Sequence, residues 1–294
     1  MSVDAAAADT LFGRPFRGRV HSVFARTINF TGPRGRLYCL ADEQLDDAPA
    51  TVRVRRAAGA ALDELGARPG DDVAKAPGGL VCGPVFVAAG SVRPWRASLP
   101  AFPAFAKERS RLAANLAALR AVIAAAGRAG GLKAYLTGAE GNIFEQQLAA
   151  RAAAMYAALA SRDAAGLLAN GRRLVGLGPG LTPAGDDFLA GLMLVIAMPA
   201  APFGRNCRQA AAALAAGAAT GTVSRAMLVH AARGRTRASV VALLAALATG
   251  GAGETAAVAR AVLAGGATSG TDLAAGLAVG LTTGLQMPVK GGIS

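Results

Sequence analysis

Hydrophobic positions along this chain follow one rhythm before Pro100 and Pro103 and another after them. From Val20 to about Trp95 the apolar residues come in short, strand-like runs: VHSVFARTINF, the turn TGPRG, then RLYCL, then TVRVRR with Val52 and Val54 alternating. DDVAKAPGGLVCGPVFVA adds brief apolar runs cut short by Pro77, Gly78, Gly79, Gly83 and Pro84, residues that favour turns over long strands. Beyond Pro103 the period becomes helical, beginning with AFAKERSRLAANLAALRAVIAAAG, where Leu112, Leu116, Leu119 and Ile123 recur at three- and four-residue steps. Further helices are predicted at about 142–160, 162–175, 183–198, 206–219, 222–233, 238–249, 253–264 and 270–285, separated by Gly or Pro. The expected fold class is therefore α+β: a small N-terminal β-rich domain over residues 1–100, then a larger, mostly α-helical domain over 101–294.

One internal echo stands out within the helical part. GDDFLAGL, from Gly185 to Leu192, aligns without gaps to GTDLAAGL, from Gly270 to Leu277, which puts Asp187 and Asp272 in equivalent places and predicts a two-lobed site.

Composition changes this picture little. With 294 residues the chain can bury a core without staples. Its three cysteines, Cys39, Cys82 and Cys207, are odd in number and far apart, so neither a disulfide framework nor a zinc site is expected. The start, MSVDAAAADTLFGRPFRGR, has acids where a signal peptide needs bases, and a cytoplasmic location is the expectation. Hydrophobic content is 53%, yet the longest apolar run, Phe188 to Phe203, is broken by Pro199 and Pro202 and falls short of the roughly 18 to 20 residues of a membrane span. No membrane partner is expected, and the run reads as a buried helix. The net charge of +13 raises a nucleic-acid reading, but it is scattered arginine, with lysine only at Lys75, Lys107, Lys133 and Lys290. No basic stretch is interleaved with aromatics as base stacking requires, so no nucleic-acid partner is expected either.

Candidate chemistry gathers in GLGPGLTPAGDDFLAG, Gly176 to Gly191. Gly176, Gly178, Gly180 and Gly185 allow positive φ and close backbone approach, and Pro179 and Pro183 stiffen the same loop. Thr182 and Pro183 read as the N-cap and first residue of a helix whose amides and positive dipole end would attract an anion. The adjacent carboxylates Asp186 and Asp187 could hold Mg²⁺ through oxygen, accept hydrogen bonds from an amide or ureido group, or supply a general base. The loop has neither the lysine of a GxxxxGK[ST] nucleotide loop nor the third glycine of GxGxxG, which excludes both nucleotide readings. A second constellation, TGTVSRAML, places Thr220, Thr222, Ser224 and Arg225 around a helix start as further anion ligands. A third, GGATSGTDLAAG, supplies Thr268, Ser269, Thr271 and Asp272 in the same style. His230 lies six residues after Ser224, but no histidine is visibly paired to a serine, and triad chemistry is not indicated.

At these residues the chain resembles the family of the oxamate carbamoyltransferase subunit called AllH. The likeness covers most of the chain: it is carried by GLGPGLTPAGDDFLAG, supported by TGTVSRAML and GATSGTDLAAG, with a looser match at VHSVFARTINF. The resemblance implies a role in anaerobic allantoin breakdown, where a multi-subunit enzyme exchanges oxalurate and phosphate for oxamate and carbamoyl phosphate, this chain being one subunit among partners. It implies that phosphate and carboxylate sit on the glycine loop and near Arg225, while Asp186 or Asp187 accepts hydrogen bonds from the carbamoyl nitrogen. The Ser-Thr-Arg-Thr phosphate-binding sequence that aspartate and ornithine carbamoyltransferases share is missing, so carbamoyl chemistry here would use another fold. Two further readings compete: a Mg²⁺-dependent hydrolase using the aspartate pair, as in the ADP-ribosylglycohydrolases, and a non-catalytic subunit that binds a metabolite. No other cofactor is implied.

Overall fold

The computed structural model of the protein describes residues 1–55, 59–90 and 92–288; Arg56, the last residue of the TVRVRR run, lies outside them. The chain divides into two compact units, Met1–Ala97 and Ser98–Ser294.

The first unit is a nine-stranded sheet. Its strands are β1 (Ser2–Asp4), β2 (Arg17–Phe24), β3 (Thr27–Thr31), β4 (Leu37–Asp42), β5 (Thr51–Val54), β6 (Asp72–Ala76), β7 (Gly79–Cys82), β8 (Val85–Ala88) and β9 (Arg93–Trp95), ordered β8-β7-β6-β2-β3-β4-β5-β1-β9. The pairings are antiparallel except β4 with β5 and β1 with β9. Val20, Ile28, Phe30, Leu40, Val52, Val73 and Leu80 bury the apolar face. Phe16, Phe30 and Tyr38 form an aromatic cluster, with Phe16 edge-on to both other rings. The sheet extends past the expected start at Val20: β1 and the helical turn α1 (Ala5–Ala8) come first, and Asp4 holds the Ala50 N–H at 2.7 Å. β1 and β9 have three residues each, too few to display a period of two.

The second unit is helical: α2 (Ala106–Ala126), α3 (Lys133–Thr137), α4 (Ile143–Ala160), α5 (Ala164–Leu174), α6 (Ala184–Ala197), α7 (Gly204–Ala216), α8 (Thr222–Ala232), α9 (Ala238–Thr249), α10 (Ala252–Leu263) and α11 (Ser269–Gln286). The spacing that predicts α2 is its buried face, with Leu112, Leu116, Leu119 and Ile123 inside. The five-residue α3 has no such period and is not foreseen.

α6 and α11 form the centre. Every residue from Ala184 to Ile196 is buried, as is every residue from Gly270 to Leu281, which is why both helices are apolar nearly all round. Among the described residues no helix is long and apolar enough to cross a membrane. The two helices run side by side in one direction, matching Gly191 to Gly276 and Val195 to Gly280 at a constant offset in sequence. A Cβ on Gly191 would lie 2.1 Å from the Leu273 carbonyl oxygen, and one on Gly276 would lie 2.1 Å from that of Phe188. The echo between GDDFLAGL and GTDLAAGL is thus a packing symmetry: each copy supplies the small residue on which the other's backbone rests.

Candidate functional site

Parallel, in-register packing brings the N-termini of α6 and α11 together. Pro183 is the N-cap of α6, its carbonyl accepting from the Asp186 and Asp187 amides at 2.9 and 3.1 Å. This corrects the expectation of Thr182 as N-cap, since the proline's extended ψ of 146° already stands outside the helix. Thr268 serves α11 in the same way, accepting from the Thr271 and Asp272 amides at 2.9 and 3.0 Å.

Asp186 and Asp187, adjacent in sequence, have different surroundings. Both are fully buried. Asp186 accepts from the Gly176 amide at 2.8 Å and from the Thr220 and Ser224 hydroxyls at 2.6 Å each, so its carboxylate ties the glycine loop and the start of α8 to α6. Among the described residues, no group stands in hydrogen-bonding geometry to either oxygen of Asp187. The Ser269 and Thr182 hydroxyls, the Asp272 carboxylate and the Arg237 guanidinium are near enough to act on its charge, although neither hydroxyl stands in hydrogen-bonding geometry. Burial, reinforced by Asp272, pushes the Asp187 carboxyl up to about 8 against the pull of Ser269, Thr182 and Arg237.

Asp272 completes the cluster. Its Oδ1 accepts from the Leu132 amide at 2.7 Å, and its Oδ2 has no hydrogen-bond partner among the described residues. Gly131 permits this approach, because a Cβ there would lie 2.1 Å from Oδ1. Burial first, then the charge of Glu145, pushes Asp272 up to about 6, while the Leu132 amide and Thr268 hydroxyl hold it down. Glu145 is fixed by the Gly130 and Asn142 amides at 2.8 and 3.0 Å.

The other expected ligands divide accordingly. Thr182, Thr268, Ser269 and Asp272 gather with Asp187. Ser224 is turned to Asp186; Thr222 is exposed at the first position of α8, and Arg225 is exposed with its guanidinium on the Thr220 carbonyl at 3.4 Å. The TGTVSRAML segment therefore serves Asp186, and GATSGTD faces Asp187. Gly178 has φ +128°, where a Cβ would lie 2.8 Å from the Ala184 nitrogen, so this glycine seats the loop on α6. Gly180, at φ +94°, faces open space. Gly185 packs against the Leu174 carbonyl of α5, where a Cβ would lie 2.1 Å from the oxygen, which makes it a packing residue.

Asp186 and Asp187 do not converge as a joint Mg²⁺ chelate would require, since Asp186 is committed to three internal donors. Among the described residues no three His, Cys, Asp or Glu side chains are grouped to hold a metal ion. Two members of the cluster escape sequence reasoning. Arg237 reaches it from the residue before α9, through contacts remote in sequence. Glu145 is legible only as a helix cap, in the Asn142-to-Glu145 capping box.

Comparison with known families adds to this geometry. The family model for the oxamate carbamoyltransferase subunit AllH matches residues 174–281, which hold α6 and most of α11, and that for the AllH family N-terminal domain matches residues 1–95. No curated protein and no solved structure matches the chain.

Proposed function

The chain belongs to the family of the oxamate carbamoyltransferase subunit AllH, and from that premise we propose that it binds the carbamoyl-bearing reactant of such an enzyme at Asp187. The exchange is that of oxalurate and phosphate for oxamate and carbamoyl phosphate, a step of allantoin catabolism carried out with partner subunits. In it a phosphate oxygen attacks the carbamoyl carbon, the bond from that carbon to the oxamate nitrogen breaks, and the phosphate proton passes to that nitrogen.

The observation that supports this reading is the buried, unpartnered carboxyl of Asp187. Leaving a buried polar group unsatisfied costs about 1–3 kcal/mol, more for a charge, so a site that keeps one has a use for it. A carbamoyl nitrogen carries two N–H donors, and an oxygen of Asp187 can receive one of them. In its protonated form the same carboxyl donates to the carbamoyl oxygen. Asp186 positions the loop and stays out of the chemistry.

Thermal denaturation of the purified chain tests this. Oxamate or carbamoyl phosphate is expected to raise the midpoint, by ligand binding to the native state, and Asp187→Asn to lose that rise. A rise with Mg²⁺ alone, equal in both proteins, would overturn the assignment.

A further inference from the structure

At the ends of α6 and α11 remote from Asp187 the helical unit holds a cavity of about 460 Å³, whose lining includes Phe102, Pro103, Pro202, Arg109, Arg205 and Arg208. We propose that this cavity is a second ligand site, which takes a phosphoryl group, free or carried on a small molecule, on its three arginines and the first turn of α7. The site goes beyond the carbamoyl reading and does not rest on it. Asp187 stands in the first turn of α6, whereas the cavity opens past the last turn, at Ala200 and Ala201. At about 1.5 Å of rise per residue the two are on the order of 15 Å apart, so a ligand here touches no group of the acid cluster.

Two of the three arginines have a task in the fold and keep donors beyond it. The parallel helices α6 and α11 both end here, presenting carbonyls without intrahelical partners and the negative ends of their dipoles. Arg109 donates through Nη2 to the Leu285 carbonyl and, at 2.9 Å, to that of Met287. Arg208 donates through Nε and Nη2 to the Ile196 and Ala201 carbonyls at 3.2 and 3.3 Å. A guanidinium has five N–H donors, so each fork can serve another acceptor. Arg205 caps neither helix: it is exposed, and among the described residues it forms no hydrogen bond and no ion pair. It lies in the first turn of α7, which has no acid and no capping side chain. A guanidinium at the positive end of a helix is unfavourably placed, the more so beside two others, and a bound anion turns that repulsion into attraction. None of the described lining residues is acidic, and Glu108, which precedes Arg109, is turned to the Ala104 and Phe105 amides at 3.1 and 3.3 Å. A phosphoryl group suits this setting better than a carboxylate, because its charge approaches two and its three oxygens can meet several forks and helix amides at once. The cavity exceeds the bare ion, and Phe102, Pro103 and Pro202 give the surplus space apolar walls.

Calorimetric titration of the full chain with inorganic phosphate and with phenyl phosphate tests the site. Arg205→Gln, at an exposed position with no partner to lose, is expected to weaken binding by about tenfold or more, as for loss of a charge-assisted hydrogen bond. Arg260→Gln removes the same charge from an exposed place on α10, where the side chain meets only the Ala256 carbonyl of its own helix, and is expected to leave binding unchanged. Tighter binding of phenyl phosphate than of phosphate assigns an esterified ligand seated against the walls, and equal affinity assigns the free ion. If neither probe binds the parent chain, if Arg205→Gln binds both as tightly as the parent chain, or if Arg205→Gln and Arg260→Gln weaken binding equally, the second site is overturned.

Discussion

The first turns of α6 and α11 are built alike and used differently. Gly185 and Gly270 each press on the end of a preceding helix, and Gly191 and Gly276 each receive the other's backbone. Asp187 and Asp272 stand at the same level on the shared axis. The two turns part at Asp186 and Thr271. Asp186 collects an amide from the glycine loop and two hydroxyls from the start of α8, whereas the Thr271 hydroxyl accepts one hydrogen bond, from the Arg128 amide at 3.0 Å. Positions the two turns share are those the pairing of helices itself requires. The position that varies is where each turn is fastened to its own neighbours, and the α6 turn is fastened far more heavily because it carries the longer loop.

The sharpest way to break the comparison is at the crossing. Gly191→Ala or Gly276→Ala puts a Cβ 2.1 Å from a carbonyl oxygen of the facing backbone, which neither helix can relieve by a rotamer change. Each is expected to cost more than about 3 kcal/mol in denaturant unfolding, or to leave the helical unit unfolded. Gly253→Ala, in α10 with open space around it, is the matched control, and there the change is expected to stabilise by up to about 1 kcal/mol. Equal effects at Gly191 and Gly253 would mean that α6 and α11 do not touch through backbone.

Unfastening the two turns gives a smaller and unequal pair of effects. Asp186→Ala strands three donors in a buried place and is expected to cost about 3 kcal/mol. Thr271→Val strands one amide and is expected to cost about 1 kcal/mol. Chemical denaturation of both variants measures the difference, and equal costs would contradict the account of the α6 turn as the more heavily anchored.

How much of this was legible in the sequence follows from the range of each interaction. The period of Leu112, Leu116, Leu119 and Ile123 is written within one helix, and so is its outcome. The echo of Gly185–Leu192 in Gly270–Leu277 was legible because symmetric packing asks both helices for the same small residues. The separation of Asp186 from Asp187 was not. Successive residues on a helix point about 100° apart, and only the neighbours on each side decide which carboxylate meets hydroxyls and which meets another acid. Arg225 looked the better anion ligand because it lies in a polar motif, yet it is exposed, while Arg237, outside any motif, lies within electrostatic reach of Asp187. Thr182 resembled an N-cap by type, but its neighbour Pro183 holds that place.

The mildest perturbation tests the shared position. Asp187 keeps its proton in the folded chain up to about 8, and Asp272 up to about 6, whereas in the unfolded chain both ionise near 3.8. The folded state therefore binds more protons than the unfolded state across these windows, and stability falls as pH rises through them. Below about 6 both acids contribute to the fall; between about 6 and 8 only Asp187 does. Across a single pH unit in that upper window its contribution is at most about 1.4 kcal/mol. Asp187→Asn is expected to remove that decline and to be more stable than the parent chain near pH 7.5. Asp272→Asn is expected to keep it and to end it at lower pH, because loss of the neighbouring charge eases ionisation of Asp187. Unfolding free energies of the two variants at pH 6 and pH 7, each compared with the parent chain, cancel what other groups contribute. A decline that survives Asp187→Asn would mean that the pair does not divide its protons between the two turns in this order, and that the likeness of α6 and α11 ends at their backbones.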